Sequence, residues 1–329
     1  MLHVLVMPMV TEPEREKAEP GRAQMKKVGI VVLNFNSYDD TLRCLMSLRK
    51  LAYGPRETVC VDNGSTDDSL ERLAHDLPEV RFVKNEKNLG FGAGVNAGIN
   101  EALKQGCDYV FCLNNDAFID DPQLITKLLA PFDSDARTGV TGPVEYDTTG
   151  MRLKFSGPTG RSRFEMKVSG AAFMVSKKVL ESLGHLDEGF FLLYEDQDLF
   201  LRIERAGYHV RLVTDARFMH TGSSSTSKHS ALIEYLEARN RIIFFARYWG
   251  VSGFLEGVVK LHSKRLPRYV LMLSEQKRFD ILKAYLRGIL DGIIALPNSR
   301  HVGMVPPIHA SGSGDNGFSR AMTGRRISR

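Results

Sequence analysis

Apolar and polar residues alternate in blocks along the first third of the chain, and the blocks have two different periods. Residues 28–33 (Val-Gly-Ile-Val-Val-Leu) form a continuous, β-branched apolar run of the kind a strand buried on both faces requires. Residues 39–49 then place Leu42, Leu45, Met46 and Leu48 on one helical face. The rhythm repeats with strands predicted at 58–61, 80–83 and 109–113 and helices at 68–75 and 94–104. Strands alternating with helices at this spacing predict an α/β fold with a mostly parallel, twisted sheet flanked by helices.

After Pro122 the pattern changes. Residues 138–175 read as a mixed or antiparallel sheet that includes a strand at 170–175. A helix is predicted over 196–206 with Gly207 as its C-cap, then a strand over 208–213 and a Gly/Ser loop over 218–225. Helix 232–248 leads into further helical segments that reach about residue 296. The division that follows is an extension (1–26), a main domain (27–248), a basic amphipathic helical region (249–297) and a flexible tail (298–329).

Composition changes this picture little. The 329 residues are 43% hydrophobic and 25% charged, as in a soluble globular protein. A net charge of +5 from 44 basic and 39 acidic side chains is too mild for a nucleic-acid-binding protein. Between Arg239 and Arg300, however, twelve basic residues face only Glu256, Glu275, Asp280 and Asp291. Cys44, Cys60, Cys107 and Cys112 lack metal-type spacing, and Cys60 and Cys112 fall inside buried strands, which predicts thiols in a reducing, cytoplasmic setting. The apolar N-terminus lacks a basic leader and a cleavage site and is read as no signal peptide, and no run of 18 apolar residues predicts a membrane span.

Ligands of open α/β sheets bind beyond the carboxyl ends of the strands. Asn34, Asp62, Asn85 and Asn114-Asn115-Asp116 all fall there. In Asp62-Asn63-Gly64-Ser65-Thr66-Asp67 the aspartate is read as a ligand contact, with Ser65 or Thr66 capping the next helix. The glycines of 88–98 follow the third strand, not the first, so a nicotinamide cofactor is not expected. Gly94 and Gly98 instead allow close helix packing, with Asn88 and Asn96 as polar contacts. Asn114-Asn115-Asp116 could hold a cation against a diphosphate, though taken alone the tripeptide reads rather as a turn with Asx hydrogen bonds. Among Glu195, Asp196 and Asp198 at a helix start, Arg202 lies four residues after Asp198 and pairs with it, leaving Asp196 as the candidate base beside Glu195. His220, in the polar loop, becomes a ligand only beside Asp116, where imidazole would favour Mn²⁺ over Mg²⁺.

The ordered set of Val31–Asn36, Val61–Asp67, Asn88–Gly92, Leu113–Asp116, Ser169–Met174, Leu186–Phe191, Tyr194–Leu199 with Arg202, His220–Ser223 and Arg239-Asn240 resembles the inverting family 2 glycosyltransferases of GT-A fold, in their rhamnosyltransferase-like branch. The resemblance covers about 27–248. It implies transfer of a sugar from a UDP- or dTDP-sugar to a hydroxyl of a glycan or lipid-linked acceptor, in cell-surface polysaccharide or glycolipid synthesis. It places Asn34, Asn36, Asp62, Ser65, Asn88, Gly90, Asn114 and Asn115 at the nucleotide-sugar, Asp116 and His220 on Mn²⁺ or Mg²⁺, and Asp196 with Glu195 at the chemistry. Asn114 stands where the stricter metal motif has aspartate, so the site carries one charge less. Residues 249–297 are expected to touch the cytoplasmic face of an anionic membrane peripherally. Two other readings are a sugar-nucleotide nucleotidyltransferase, for which the loop after the first strand lacks a phosphate-binding Gly/Lys pattern, and a silent binding protein of the same fold.

Overall fold

The computed structural model describes residues 25–147, 149, 167–221, 231–276 and 279–296, without the side chains of 259–276. The expected tail and most of the N-terminal extension lie outside the described residues, as do parts of the expected mixed sheet of 138–175 and of the loop after His220. One eight-stranded sheet, ordered β3-β2-β1-β4-β7-β6-β8-β5, organises the molecule.

Its first half is the predicted parallel block: β1 (Val28–Asn34), β2 (Arg56–Asp62), β3 (Arg81–Lys84) and β4 (Tyr109–Asn114). They are joined by α1 (Tyr38–Leu48), α2 (Ser69–Asp76) and α3 (Phe91–Lys104). The register sets Asn34 beside Asp62 and Leu33 beside Asn114, so the polar strand ends line one edge of the sheet. Two apolar cores cover the faces, one built with α1, α2 and Phe111, the other with α3 and Phe173. Each such buried large side chain contributes about 1.5–3 kcal/mol. Gly98 lets α3 approach: a Cβ there would collide with Val31 and Val61, and one at Gly94 with Leu33 and Asn63, as the spacing predicted.

The second half holds β5 (Ala117–Phe118), α4 (Leu124–Ser134), β6 (Thr138–Tyr146), β7 (Ala172–Ser176), α5 (Lys177–Leu183), α6 (Glu195–Arg205) and β8 (His209–His220). β7 runs antiparallel to β4 and to β6, whereas β6 and β8 are parallel, so the expected mixed sheet is present. Four details differ from expectation. Helix α3 begins at Phe91, three residues early, because Gly90, at φ 88°, ends the preceding turn. Helices α4 and α5 were not anticipated: Pro131 interrupts the pattern of the first, and the second is seven residues long. Strand β8 extends to His220, which therefore stands on a strand rather than in a loop, paired with Ala117 of β5. Finally, α2 is preceded by Asp68, without a side-chain cap from Ser65 or Thr66.

The chain closes with α7 (Ala231–Gln276), broken at Gly250 (φ 61°, ψ −141°), and α8 (Phe279–Ala295). Ala238, Ile281 and Tyr285 join them, and Gly288 of α8 sits directly on the Tyr235 carbonyl. Among the described residues no helix is long and apolar enough to cross a membrane.

Candidate active site

At the carboxyl ends of β1 and β2, Asn34 is a fully buried junction. Its Nδ2 donates to Asp62 Oδ1 (2.9 Å), Ser69 Oγ (3.0 Å) and Ser65 Oγ (3.2 Å). Its Oδ1 accepts from Thr41 Oγ1 at 2.8 Å, and that hydroxyl accepts from Asn115 Nδ2 at 3.0 Å. A single chain of hydrogen bonds thus joins the Asp62 end of the site to the Asn114–Asp116 turn. Ser65 spends its hydroxyl on the Asn36 amide (3.0 Å), while Asn36, at φ 49°, accepts from the Thr66 amide at 2.8 Å. These contacts are why Ser65 does not cap α2.

Asn88 and Gly90 are assembled around Asn63, which sequence reasoning passed over although it adjoins Asp62. The buried Asn63 Nδ2 donates to Asn88 Oδ1 (3.1 Å) and to the Gly90 carbonyl (3.0 Å). Its Oδ1 accepts from Asn85 Nδ2 (3.1 Å) and the Leu89 amide (3.2 Å). Asn96 is committed elsewhere, holding the amide and carbonyl of Leu186 at 3.1 and 2.9 Å.

Asp116 follows the β4 turn, and the β5–β8 pairing brings His220 to it, Nε2 to Oδ1 at 3.1 Å. The other ring nitrogen, Nδ1, meets Glu145 Oε1 at 2.6 Å, and Glu145 Oε2 accepts from Ser169 Oγ at 2.7 Å. Burial alone would lower the His220 pKa, but the hydrogen bonds to Asp116 and Glu145 carry it up to about 9. Burial likewise opposes ionisation of Glu145, and the His220 and Ser169 hydrogen bonds outweigh it. Neither Glu145 nor Ser169 was expected here. A lone carboxylate in β6, a strand buried at eight of nine positions, was the available signal for the first.

A cation fits this corner. Asp116 and His220 converge, and the Oδ1 of Asn114, two residues before Asp116, is buried with no hydrogen-bond partner among the described residues. Glu145 lies on the far nitrogen of the imidazole and cannot join the same set of ligands. Accordingly, among the described residues no three His, Cys, Asp or Glu side chains could hold a metal by themselves. Diphosphate oxygens and water would have to complete the coordination.

The acidic cluster divides as its spacing predicted. Asp198 is fully buried and engaged by Arg202 Nε (2.8 Å), Arg247 Nη1 (2.8 Å) and Tyr248 OH (2.7 Å). Asp196 is half-buried, and its Oδ1 accepts from the Gln197 amide at 2.8 Å. Burial raises the pKa of Asp196 above the usual aspartate range. Glu195 is pushed up further, first by its deeper burial and then by the charge of Asp196, and its Oε2 has no partner among the described residues. Each of the two is therefore harder to ionise than a solvated carboxyl. Three adjoining residues connect the corners of the site. Ser169 holds Glu145, Gly170 packs so closely on Asp196 that a Cβ would overlap its Oδ2, and the Ala171 carbonyl accepts from the Asn114 amide at 2.8 Å.

The backbone leading into α6 is left-handed at Phe191 (φ 67°), Leu193 (φ 71°) and Tyr194 (φ 80°). Asn240 of α7 fastens it, its Nδ2 lying 2.9 Å from each of the carbonyls of Phe190, Leu192 and Leu193. The sequence marked Arg239-Asn240 without showing that it grips the segment before the candidate base.

Comparison with known proteins agrees with this geometry. Residues 29–179 match the family model described as glycosyl transferase family 2, and residues 144–266 that of glycosyl transferase family group 2. The dTDP-rhamnosyl transferase RfbF of Shigella flexneri is 24% identical over 71% of this chain and 85% of its own. The N-acetylglucosaminyl-diphospho-decaprenol L-rhamnosyltransferase of Mycobacterium tuberculosis is 24% identical over 77% of this chain and 97% of its own. Among solved structures, the mannosyltransferase PcManGT from Pyrobaculum calidifontis, in complex with GDP-Man and Mn²⁺, superposes with a TM-score of 0.52 at 13% identity, covering 82% of this chain and 87% of that one. In motif order, sheet topology and sequence the chain belongs to the family 2 glycosyltransferases.

Proposed function

We propose that the protein transfers a sugar, with rhamnose the leading candidate, from a dTDP- or UDP-sugar to a hydroxyl of a glycan or lipid-linked acceptor, with inversion at the anomeric carbon. The observation that carries this reading is the state of the acidic cluster. Asp198 is consumed by two arginines and a tyrosine, whereas Asp196 packs on Gly170, just before β7, with a raised pKa. A carboxylate so placed takes the proton of the acceptor hydroxyl as its oxygen attacks the anomeric carbon, and the nucleoside diphosphate departs from the opposite face. The proton ends on Asp196 and the bonding pair leaves with the diphosphate, so no covalent enzyme intermediate forms.

Asn34, Asn36, Asp62 and Ser65 would hold the nucleoside, with Asn88 and Gly90 on the adjoining turn. Asp116, His220 and the Asn114–Asn115 amides would face the diphosphate. A Mn²⁺ or Mg²⁺ ion bound by Asp116 and His220 would neutralise charge on the departing diphosphate. The relatives' printed substrates, a dTDP-rhamnosyl donor and a decaprenol-linked acceptor, support both the donor class and a lipid acceptor.

Residues 27–248 would form the catalytic domain and 249–297 its membrane-facing appendage. Helix α8 turns Phe279, Leu286, Leu290, Ile293 and Ile294 outward, with Lys283 and Arg287 also exposed and Val251 and Leu255 of α7 exposed as well. That arrangement supports peripheral contact with an anionic cytoplasmic leaflet. The test is transfer from dTDP-rhamnose and UDP-sugars to a diphospholipid acceptor: Asp196→Asn should lose transfer and keep donor binding. Undiminished transfer by that variant would refute the assignment.

A further inference from the structure

We infer that Glu145 supplies, through His220, the negative charge that the metal corner lacks because residue 114 is asparagine. The inference rests on the proposed cation at Asp116 and His220, and concerns a residue that contacts neither cation nor substrate.

A carboxylate in a strand as buried as β6 is costly unless both of its oxygens are satisfied. Glu145, 6% exposed, has both engaged: Oε1 by His220 Nδ1 at 2.6 Å and Oε2 by Ser169 Oγ at 2.7 Å. Ser169 is itself buried, and its hydroxyl accepts from the Ala171 amide at 3.2 Å, so the orientation is set from behind. The order Ser169–Glu145–His220–Asp116 is linear, and the imidazole presents Nδ1 to one carboxylate and Nε2 to the other. A cation in the corner would replace the Nε2 proton, with Glu145 keeping hydrogen on Nδ1 and leaving the Nε2 lone pair to the cation. A carboxylate hydrogen-bonded behind a metal-binding histidine orients the ring and makes it a better donor, and its loss typically weakens metal binding about 10–100-fold.

The charge count gives the arrangement its purpose. Asn114, two residues before Asp116, brings an uncharged oxygen without a hydrogen-bond partner among the described residues, and Asp116 brings one negative charge. Glu145 restores a second at one ring's remove, beyond the reach of the cation itself. A bare link between strands would require no such alignment on the nitrogen opposite Asp116. The alternative is nonetheless concrete, because β6 and β8 are neighbours and a Glu145–His220 bond would help to join them whether or not a metal binds.

Mn²⁺ binding separates the two. We would titrate full-length protein, with UDP or dTDP present in excess, and read free Mn²⁺ by electron paramagnetic resonance. Glu145→Gln should bind Mn²⁺ about 10–100-fold more weakly than wild type with its thermal unfolding still cooperative. Adding Asn114→Asp to that variant should recover affinity by putting charge directly on the corner. Ser169→Ala, which leaves the strand pairing untouched, should weaken Mn²⁺ by a smaller factor and serves if Glu145→Gln does not fold. Wild-type affinity in Glu145→Gln and in Ser169→Ala would overturn the inference and leave the metal corner standing. Loss in Glu145→Gln with no recovery in the double variant would overturn the charge argument. Failure of the wild type to bind Mn²⁺ with either diphosphate would remove the metal reading and this inference with it.

Discussion

Single side chains decide which of three neighbouring acids is chemically available. The four-residue spacing of Asp198 and Arg202 was legible in the sequence and is realised at 2.8 Å. The contributions of Arg247 and Tyr248 were not, because they lie about fifty positions away and only the packing of α7 on α6 brings them in. Removing the carboxylate from such a buried network leaves uncompensated charge, so Asp198→Ala should destabilise the fold by about 3–5 kcal/mol in urea denaturation. Asp196→Asn, by contrast, should leave stability nearly unchanged and cut kcat by about 10²–10⁴. The raised pKa has a kinetic signature. With Asp196 as the proposed base, kcat/KM should fall as pH drops, with its acid limb above the usual aspartate value of about 4. A limb at or below 4 would show an ordinary, solvated carboxylate. Gly170 makes a sharper claim, since no sequence pattern shows that it abuts Asp196. Gly170→Ala should displace the carboxylate and cost about 100-fold in kcat, with nucleotide binding within about twofold of wild type.

At the scale of elements, the parallel block was readable because strands buried on both faces and amphipathic helices leave opposite signatures. The second half was harder. Strand β6 is buried along nearly its whole length without alternation, α5 is seven residues long, and α4 carries a proline inside. His220 looked like a loop residue because Gly and Ser follow it, yet pairing with the two-residue β5 extends its strand to the edge of the site. The segment Phe191–Tyr194 shows a dependence between elements that no local pattern encodes. Its left-handed residues are held by Asn240, so the helix after the catalytic region fixes the entry to the helix that carries Asp196. Asn240→Ala should therefore lower stability by about 1–3 kcal/mol by stripping its donor from the Leu192 and Leu193 carbonyls, the Phe190 carbonyl keeping the Leu192 amide. It should also lower kcat while leaving nucleotide affinity alone. A loss of stability with kcat intact would mean that the clamp is structural only.

For the whole molecule, the sheet carries Asn34, Asp62, Asn114, Glu145 and His220 at or near strand ends, and α8 leaves an apolar face exposed. The basic excess of 239–300 was visible in the sequence, but which side of α8 is spent on α7 was not, and Gly288 with Tyr285 settles that. Substituting Leu286→Asp and Leu290→Asp should reduce co-sedimentation with vesicles containing phosphatidylglycerol and spare transfer to a short, water-soluble acceptor. Equal sedimentation of variant and wild type would dissociate α8 from the membrane.

In the proposed function the Asp116 corner and the Asn34–Asp62 edge together bind a nucleoside diphosphate with a divalent cation. That binding is tested most directly by thermal unfolding with UDP, dTDP, GDP and NAD, each with and without Mn²⁺, for wild type and Asp116→Ala. A pyrimidine diphosphate should stabilise the wild type by about 2.7 kcal/mol at a hundredfold excess over Kd, an effect that requires Mn²⁺ and disappears in the variant. Stabilisation by no diphosphate, or by NAD alone, or an effect of equal size in Asp116→Ala, would contradict it.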